Sequence, residues 1–167
     1  MNARQSFKER AASLGEALRD DKKMKSPLTI GIKYEHTFTV PLSKTVPALY
    51  PEAEEFLVMP AVFATGFLVG FLEWACIKAI NAYLDFPEEQ TVGTHINVSH
   101  QAATPVGLVV TAKVELIKIE GKKLTFKVEA HDGTDLISQG THERFIINKM
   151  KFDAKVTAKQ KASYSAK

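Results

Sequence analysis

Ala61-Val-Phe-Ala-Thr-Gly-Phe-Leu-Val-Gly-Phe-Leu-Glu-Trp-Ala-Cys-Ile77 decides the fold. Only Thr65 and Glu73 in this run carry side chains of ordinary hydrogen-bonding strength; the Trp74 indole and the Cys76 thiol are weaker. The run reads as a long helix from about Ala61 to Leu84, apolar on nearly all faces, and such a helix must be wrapped by other elements. Its one acid is the first residue to explain. An ionised carboxylate buried without a partner costs several kcal/mol, so Glu73 is expected to be paired or chemically active. Burial also tends to raise a carboxyl pKa, which suits a base or nucleophile working near neutral pH.

Before this run, Gly31 to Val40 has strand character, and Pro41, Pro47, Pro51 and Pro60 then break the chain into a loop or lid. After Asp85-Phe-Pro-Glu-Glu, the stretches 91–103, 107–120, 122–131 and 135–148 read as four strands. Glu120-Gly-Lys-Lys and His131-Asp-Gly-Thr join them as hairpin turns, Asp-Gly being a strong type I′ signal. Phe7, Ala11, Leu14 and Leu18 mark an amphipathic helical extension over residues 1–26, and residues 151–167 read as a basic, disordered tail. Residues 27–150 are therefore expected to form one α+β domain, a single central helix wrapped by a curved antiparallel sheet of about five strands. That is the hot-dog architecture, in which sheets commonly join edge to edge in dimers.

The net charge of +3 is unevenly placed. Residues 1–26 carry seven Lys/Arg against four Asp/Glu, and 149–167 carry six Lys against one Asp, leaving −5 for the middle. The basic character belongs to the ends, which argues against a nucleic-acid-binding domain. One cysteine excludes an intrachain disulfide and fits a reducing, cytoplasmic setting. Glu73, Lys78 and Asn81 argue against reading 61–77 as a membrane span.

Three positions could carry chemistry. Thr65 is a candidate N-cap, and with Gly66 it places the N–H groups of Gly66, Phe67 and Leu68 where they could hold a carbonyl oxygen or oxyanion. Glu73 lies about 12 Å further along a straight helix and about 80° around it, so the two side chains cannot meet within one helix. A shared site then needs an extended substrate or helices from two subunits. His100 ends the strand Gly93-Thr-His-Ile-Asn-Val-Ser-His. Simple alternation sets Gly93, His95, Asn97 and Ser99 on one face and Thr94, Ile96, Val98 and His100 on the other. A carboxylate such as Glu73 would serve His100 as partner and orient it as a base. His36, His131 and His142 are assigned no role. No metal-ligand spacing, phosphate loop or nucleophile elbow is present, and Cys76 reads as a core thiol.

The stretches Lys44-Thr-Val-Pro-Ala-Leu-Tyr-Pro-Glu, Val62 to Cys76, Val92 to His100, and Ala130-His-Asp-Gly with Gly140-Thr-His-Glu-Arg resemble the fluoroacetyl-CoA thioesterase family of hot-dog proteins. The resemblance runs colinearly over about residues 31–155. It implies that Thr65, Glu73 and His100 are catalytic, that Gly93 and Arg144 contact substrate, and that Val46, Leu49, Phe56 and Met59 belong to a lid over the acyl pocket. Met59 departs from the family's phenylalanine.

The expected activity is therefore hydrolysis of a short-chain acyl-CoA to a carboxylic acid and CoA, by a homodimer or dimer of dimers. No cofactor, metal, nucleic acid or membrane is expected to take part. Glu73 could act as nucleophile or as general base. A non-catalytic hot-dog module binding an acyl thioester, or an acyl-CoA hydratase, are the alternatives.

Overall fold

The computed structural model describes residues 27–165; the helix expected over 1–26 lies outside them. Five strands, β1 (Lys33–Thr39), β2 (Glu89–Val98), β3 (Val109–Glu120), β4 (Lys123–His131) and β5 (Leu136–Asn148), form one antiparallel sheet in the order β1-β3-β4-β5-β2. Among the described residues, three α-helices accompany it: α1 (Glu54–Leu57), α2 (Thr65–Ile80) and α3 (Lys149–Ser165). The sheet curls as a half-barrel against α2. The expected hot-dog fold is present.

Period-two alternation makes the concave face. Val110, Ala112, Val114 and Leu116 of β3, with Leu124, Phe126, Val128 and Ala130 of β4, all point inward and are buried. They meet Leu68, Phe71, Leu72, Ala75, Cys76, Ala79 and Ile80 of α2. Each large side chain so buried contributes about 2 kcal/mol of transfer free energy. Among the described residues, β1 and β2 are the outermost strands of the sheet.

Two expectations about the helix are corrected. It begins at Thr65, because Ala61 to Ala64 is held sideways by extended pairing: Val46 N–H donates to the Val62 carbonyl at 3.0 Å, Phe63 N–H to Thr104 at 2.8 Å, and Ala64 N–H to Lys44 at 3.1 Å. Nor is the helix wrapped all round. Gly66, Gly70, Trp74 and Ile77 lie on a face that the described residues leave open.

The tail is corrected as well, since residues 149–165 form helix α3, exposed from Lys149 to Tyr164. Its Lys/Ala-rich sequence has high helix propensity. Asn148 Oδ1 accepts the Lys151 N–H at 3.1 Å and caps the start, and Lys149 pairs with Asp153 one turn on. The proline-punctuated lid consists of 3₁₀ turns Leu42–Lys44 and Val46–Ala48 followed by α1.

Candidate active site

Thr65 is the first residue of α2 and not its cap; Ala64 takes the cap position without any side-chain bond. The threonine hydroxyl is committed elsewhere, 2.8 Å from Nδ1 of His100. That contact is built by strands on both sides. Ser99 N–H donates to the Gln139 carbonyl at 3.0 Å and Gln101 N–H to Ile137 at 2.9 Å, so the segment carrying His100 runs along β5 just beyond β2. Nε2 of His100 is buried with no hydrogen-bond partner among the described residues. Burial pulls the imidazole pKa below its ordinary value.

The first helical hydrogen bond of α2 runs from Leu68 N–H to the Ala64 carbonyl at 2.9 Å. The N–H groups pointing out of the helix start are therefore those of Thr65, Gly66 and Phe67, one residue earlier than expected. Leu49 of the lid reaches this point: a Cβ on Gly66 would stand 3.0 Å from its Cδ2 atom. Phe56 stacks on Tyr50 inside the lid, with ring centres 5.8 Å apart. Val46 is tied to Val62 through its N–H, and Met59 is half exposed.

Glu73 does not meet His100. Its carboxylate Oε1 lies 3.2 Å from Arg144 Nη1 and 3.4 Å from His142 Nε2. Both partners project inward from β5 and are almost fully buried, at 3% and 2% exposure, whereas the Glu73 side chain is 38% exposed. Arg144 is locked in plane by Thr91, its Nε donating to the hydroxyl at 2.9 Å and its Nη2 to the carbonyl at 2.8 Å. His142 Nδ1 donates to the His95 carbonyl at 2.8 Å, and its Nε2 sits 3.0 Å from Arg144 Nη1.

The His142 imidazole foremost, and then the Arg144 guanidinium, hold the Glu73 carboxyl below the usual carboxylate range despite its partial burial. The expectation of a raised pKa is thus overturned, because the acid is paired with donors and not merely desolvated. Burial in turn draws the Arg144 pKa down against the pull of Glu73.

Gly93 belongs to this second cluster. The register of β2 against β5 shifts between Gly93 and His95, leaving Thr94 as the extra residue of a bulge. Gly93 therefore faces inward opposite Arg144, and Ile96 opposite His142, which corrects the simple alternation. A Cβ on Gly93 would stand 2.2 Å from Glu73 Oε1 and 3.2 Å from His142 Cε1.

The structure thus gathers the expected residues into two clusters on one helix: Thr65 and His100 at its start, and Glu73, Gly93 and Arg144 about two turns on. Sequence reasoning missed His142 and Thr91. The signal was available in His142-Glu-Arg144, two polar side chains two residues apart and so on one face of a strand. Among the described residues, no group of three His, Cys, Asp or Glu side chains is placed to hold a metal ion, and no helix is long and apolar enough to cross a membrane.

A half-barrel sheet curled against one helix is the hot-dog fold, and here it carries a hydroxyl–imidazole contact at the helix start and a carboxylate on the helix flank. Comparison with known proteins makes the class specific. The model of the fluoroacetyl-CoA-specific thioesterase family matches residues 45–150. The fluoroacetyl-CoA thioesterase of Streptantibioticus cattleyicolor is 52% identical over 139 residues, covering 83% of this chain and 99% of that protein. A solved structure of a fluoroacetyl-CoA thioesterase superposes with TM-score 0.78 at 51% identity, over 80% of this chain and 98% of the other. A Thermus thermophilus thioesterase superfamily member superposes with TM-score 0.72 at 27% identity, over 84% of this chain and 98% of its own. The chain belongs to the fluoroacetyl-CoA-specific thioesterase family.

Proposed function

We propose that this acyl-CoA thioesterase hydrolyses a short-chain acyl-CoA, water and thioester giving a carboxylic acid and free CoA thiol. The observation that carries the reading is the 2.8 Å contact between Thr65 and His100 beside the free N–H groups that begin α2. Those N–H groups are suited to a thioester oxygen that becomes negative in the transition state, and such a donor is worth about 3–4 kcal/mol. Thr65 orients the imidazole, and burial keeps that imidazole neutral and able to accept a proton. Glu73, ionised beside His142 and Arg144, either attacks the carbonyl carbon or takes a proton from the attacking water.

A homodimer accounts for the spacing of the two clusters. β2 is a sheet edge, and the open face of α2 with Trp74 and Ile77 lies on the same molecule. Pairing two copies would cover both, and would let Thr65 and His100 of one copy share a substrate with Glu73 of the other. A dimer of dimers uses the same pairing. CoA enters as part of the substrate and no cofactor is required; the one buried thiol fits a cytoplasmic protein. Met59, flexible and half exposed at the end of the lid, leaves the acyl pocket without a rigid ring to select a single acyl group.

Free-thiol release from acetyl-, fluoroacetyl-, propionyl- and a medium-chain acyl-CoA tests the proposal. Release from the short substrates, abolished in Glu73→Gln and in His100→Ala, is expected. No release from any of them, with thermal stabilisation by the same thioesters, would instead identify a binding module.

A further inference from the structure

We propose that the buried Asp132–Thr104 pair is a positioning device for the Thr65–His100 contact, an inference that rests on the thioesterase reading of that contact. Asp132 sits in the hairpin turn between β4 and β5 and is nearly buried, and Thr104 is fully buried. A carboxylate in that position needs every lone pair engaged. Oδ1 accepts the N–H groups of Thr134 at 3.0 Å and Asp135 at 2.8 Å, which closes the turn. Oδ2 accepts the Thr104 hydroxyl at 3.0 Å, which the turn does not require. These donors, led by the backbone of Asp135, hold the Asp132 carboxyl below the usual range, so the acceptor stays charged at neutral pH.

Thr104 is where three segments cross. Four residues before it stands His100. Its carbonyl accepts the Phe63 N–H at 2.8 Å, two residues before Thr65, and the neighbouring Pro105 bridges to Val62. Phe63 is itself clamped from its other side by Thr45 of the lid. The strand leading into α2 and the loop carrying His100 are thus pinned to each other at Thr104. Asp132 pins that crossing to the sheet. Ser138 Oγ, donating to the Ser99 carbonyl at 2.8 Å, secures the other side of His100. Between these two anchors the hydroxyl of Thr65 and Nδ1 of His100 meet at 2.8 Å. Loss of the charge-assisted bond at Thr104 frees one anchor and leaves the turn closed.

Thr104→Val deletes the hydroxyl and keeps the shape; Thr104→Ser restores the hydroxyl. With acetyl-CoA as substrate, Thr104→Val is expected to lower kcat by about tenfold to a hundredfold with KM within about twofold, as misplacement of reacting groups does. Thr104→Ser should recover most of the loss. In a Thr65→Ala background, where the contact no longer exists, Thr104→Val should cost nothing more. Asp132→Asn, should Thr104→Val fold poorly, is expected to show the same kcat loss and the same insensitivity in the Thr65→Ala background. Unchanged kcat, or an equal loss with and without Thr65, would overturn the proposal. A wild-type protein without turnover would overturn the thioesterase reading. The positioning claim would then still be read by NMR, as a change in the His100 ring signals in Thr104→Val and their recovery in Thr104→Ser; unchanged signals would overturn it.

Discussion

Glu73 Oε1 stands where a side chain at position 93 would begin: a Cβ on Gly93 would come within 2.2 Å of it. The glycine is therefore fixed by a side chain on a different element, brought opposite it by the bulge at Thr94. The atom it would strike is the far end of a flexible side chain, so the conflict can be relieved by rotating the carboxylate away from Arg144 and His142. Gly93→Ala should consequently fold with little loss of stability and lose activity. Thermal denaturation is expected to show a Tm within a few degrees of wild type, while kcat falls by about tenfold to a hundredfold because the carboxylate has left its partners. An active, equally stable Gly93→Ala protein would show that the position of Glu73 does not matter to turnover.

The pH dependence follows from two lowered pKa values. Glu73, held down by His142 and Arg144, remains ionised through the ordinary carboxylate range. His100, held down by burial, remains neutral below the ordinary imidazole value of about 6.5. Each folded pKa lies below its unfolded one. In both cases the unfolded chain binds the proton first as pH falls, so the stability contribution is complete above the unfolded pKa and is lost as pH drops through the folded one. The His100 contribution should therefore begin to fall below about pH 6.5, and that of Glu73 below about pH 4.3. Activity that needs neutral His100 should show its acid limb in kcat/KM below about pH 6.5. A limb at or above that pH would mean that another group controls turnover.

The fold was largely legible because the hydrophobic pattern is strong: inward residues of β3 and β4 alternate with period two, and the apolar run ending at Ile80 is too long for a strand. Helix ends and partner choice were not legible, because tertiary hydrogen bonds decide them. Ala61 to Ala64 has the composition of the helix that follows, yet Lys44, Val46 and Thr104 capture its backbone. Position 94 looks like any strand residue, yet the bulge there reverses which neighbours of Gly93 face inward. The sequence offered Glu73 to His100 and no role to His142. Only the fold shows that Thr65 takes the first while the carboxylate takes the second.

Cys76 gives a prediction that is independent of catalysis. It lies one turn from Glu73 but points into the core, fully buried, and its thiol is pushed up to about 12, by burial above all. The thiolate is the reactive form, so a thiol in this environment is inert near neutral pH. Iodoacetamide at pH 7.5 should leave the native protein unmodified by mass spectrometry and add a single label after denaturation. Activity should be unchanged by the native treatment. Rapid labelling of the folded protein would mean that α2 opens readily.

Met59 is the lid position at which side-chain rigidity can be varied without touching Thr65, Glu73 or His100. It is half exposed, and its backbone N–H is tied to the Phe56 carbonyl at 3.2 Å, so a new side chain there starts from a defined backbone. Methionine turns about three side-chain bonds and adapts to acyl groups of different length; a phenylalanine ring turns about two and keeps its shape. If this lid covers the acyl group, Met59→Phe should narrow the range of chains accepted. Discrimination by an apolar wall amounts to about 1–3 kcal/mol, or roughly tenfold to two-hundredfold in kcat/KM. The expected outcome is a fall of that size for the medium-chain thioester with acetyl-CoA turnover within about threefold of wild type. A uniform change across the panel would place Met59 outside the acyl pocket and leave selectivity to Leu49, which reaches the start of α2 directly.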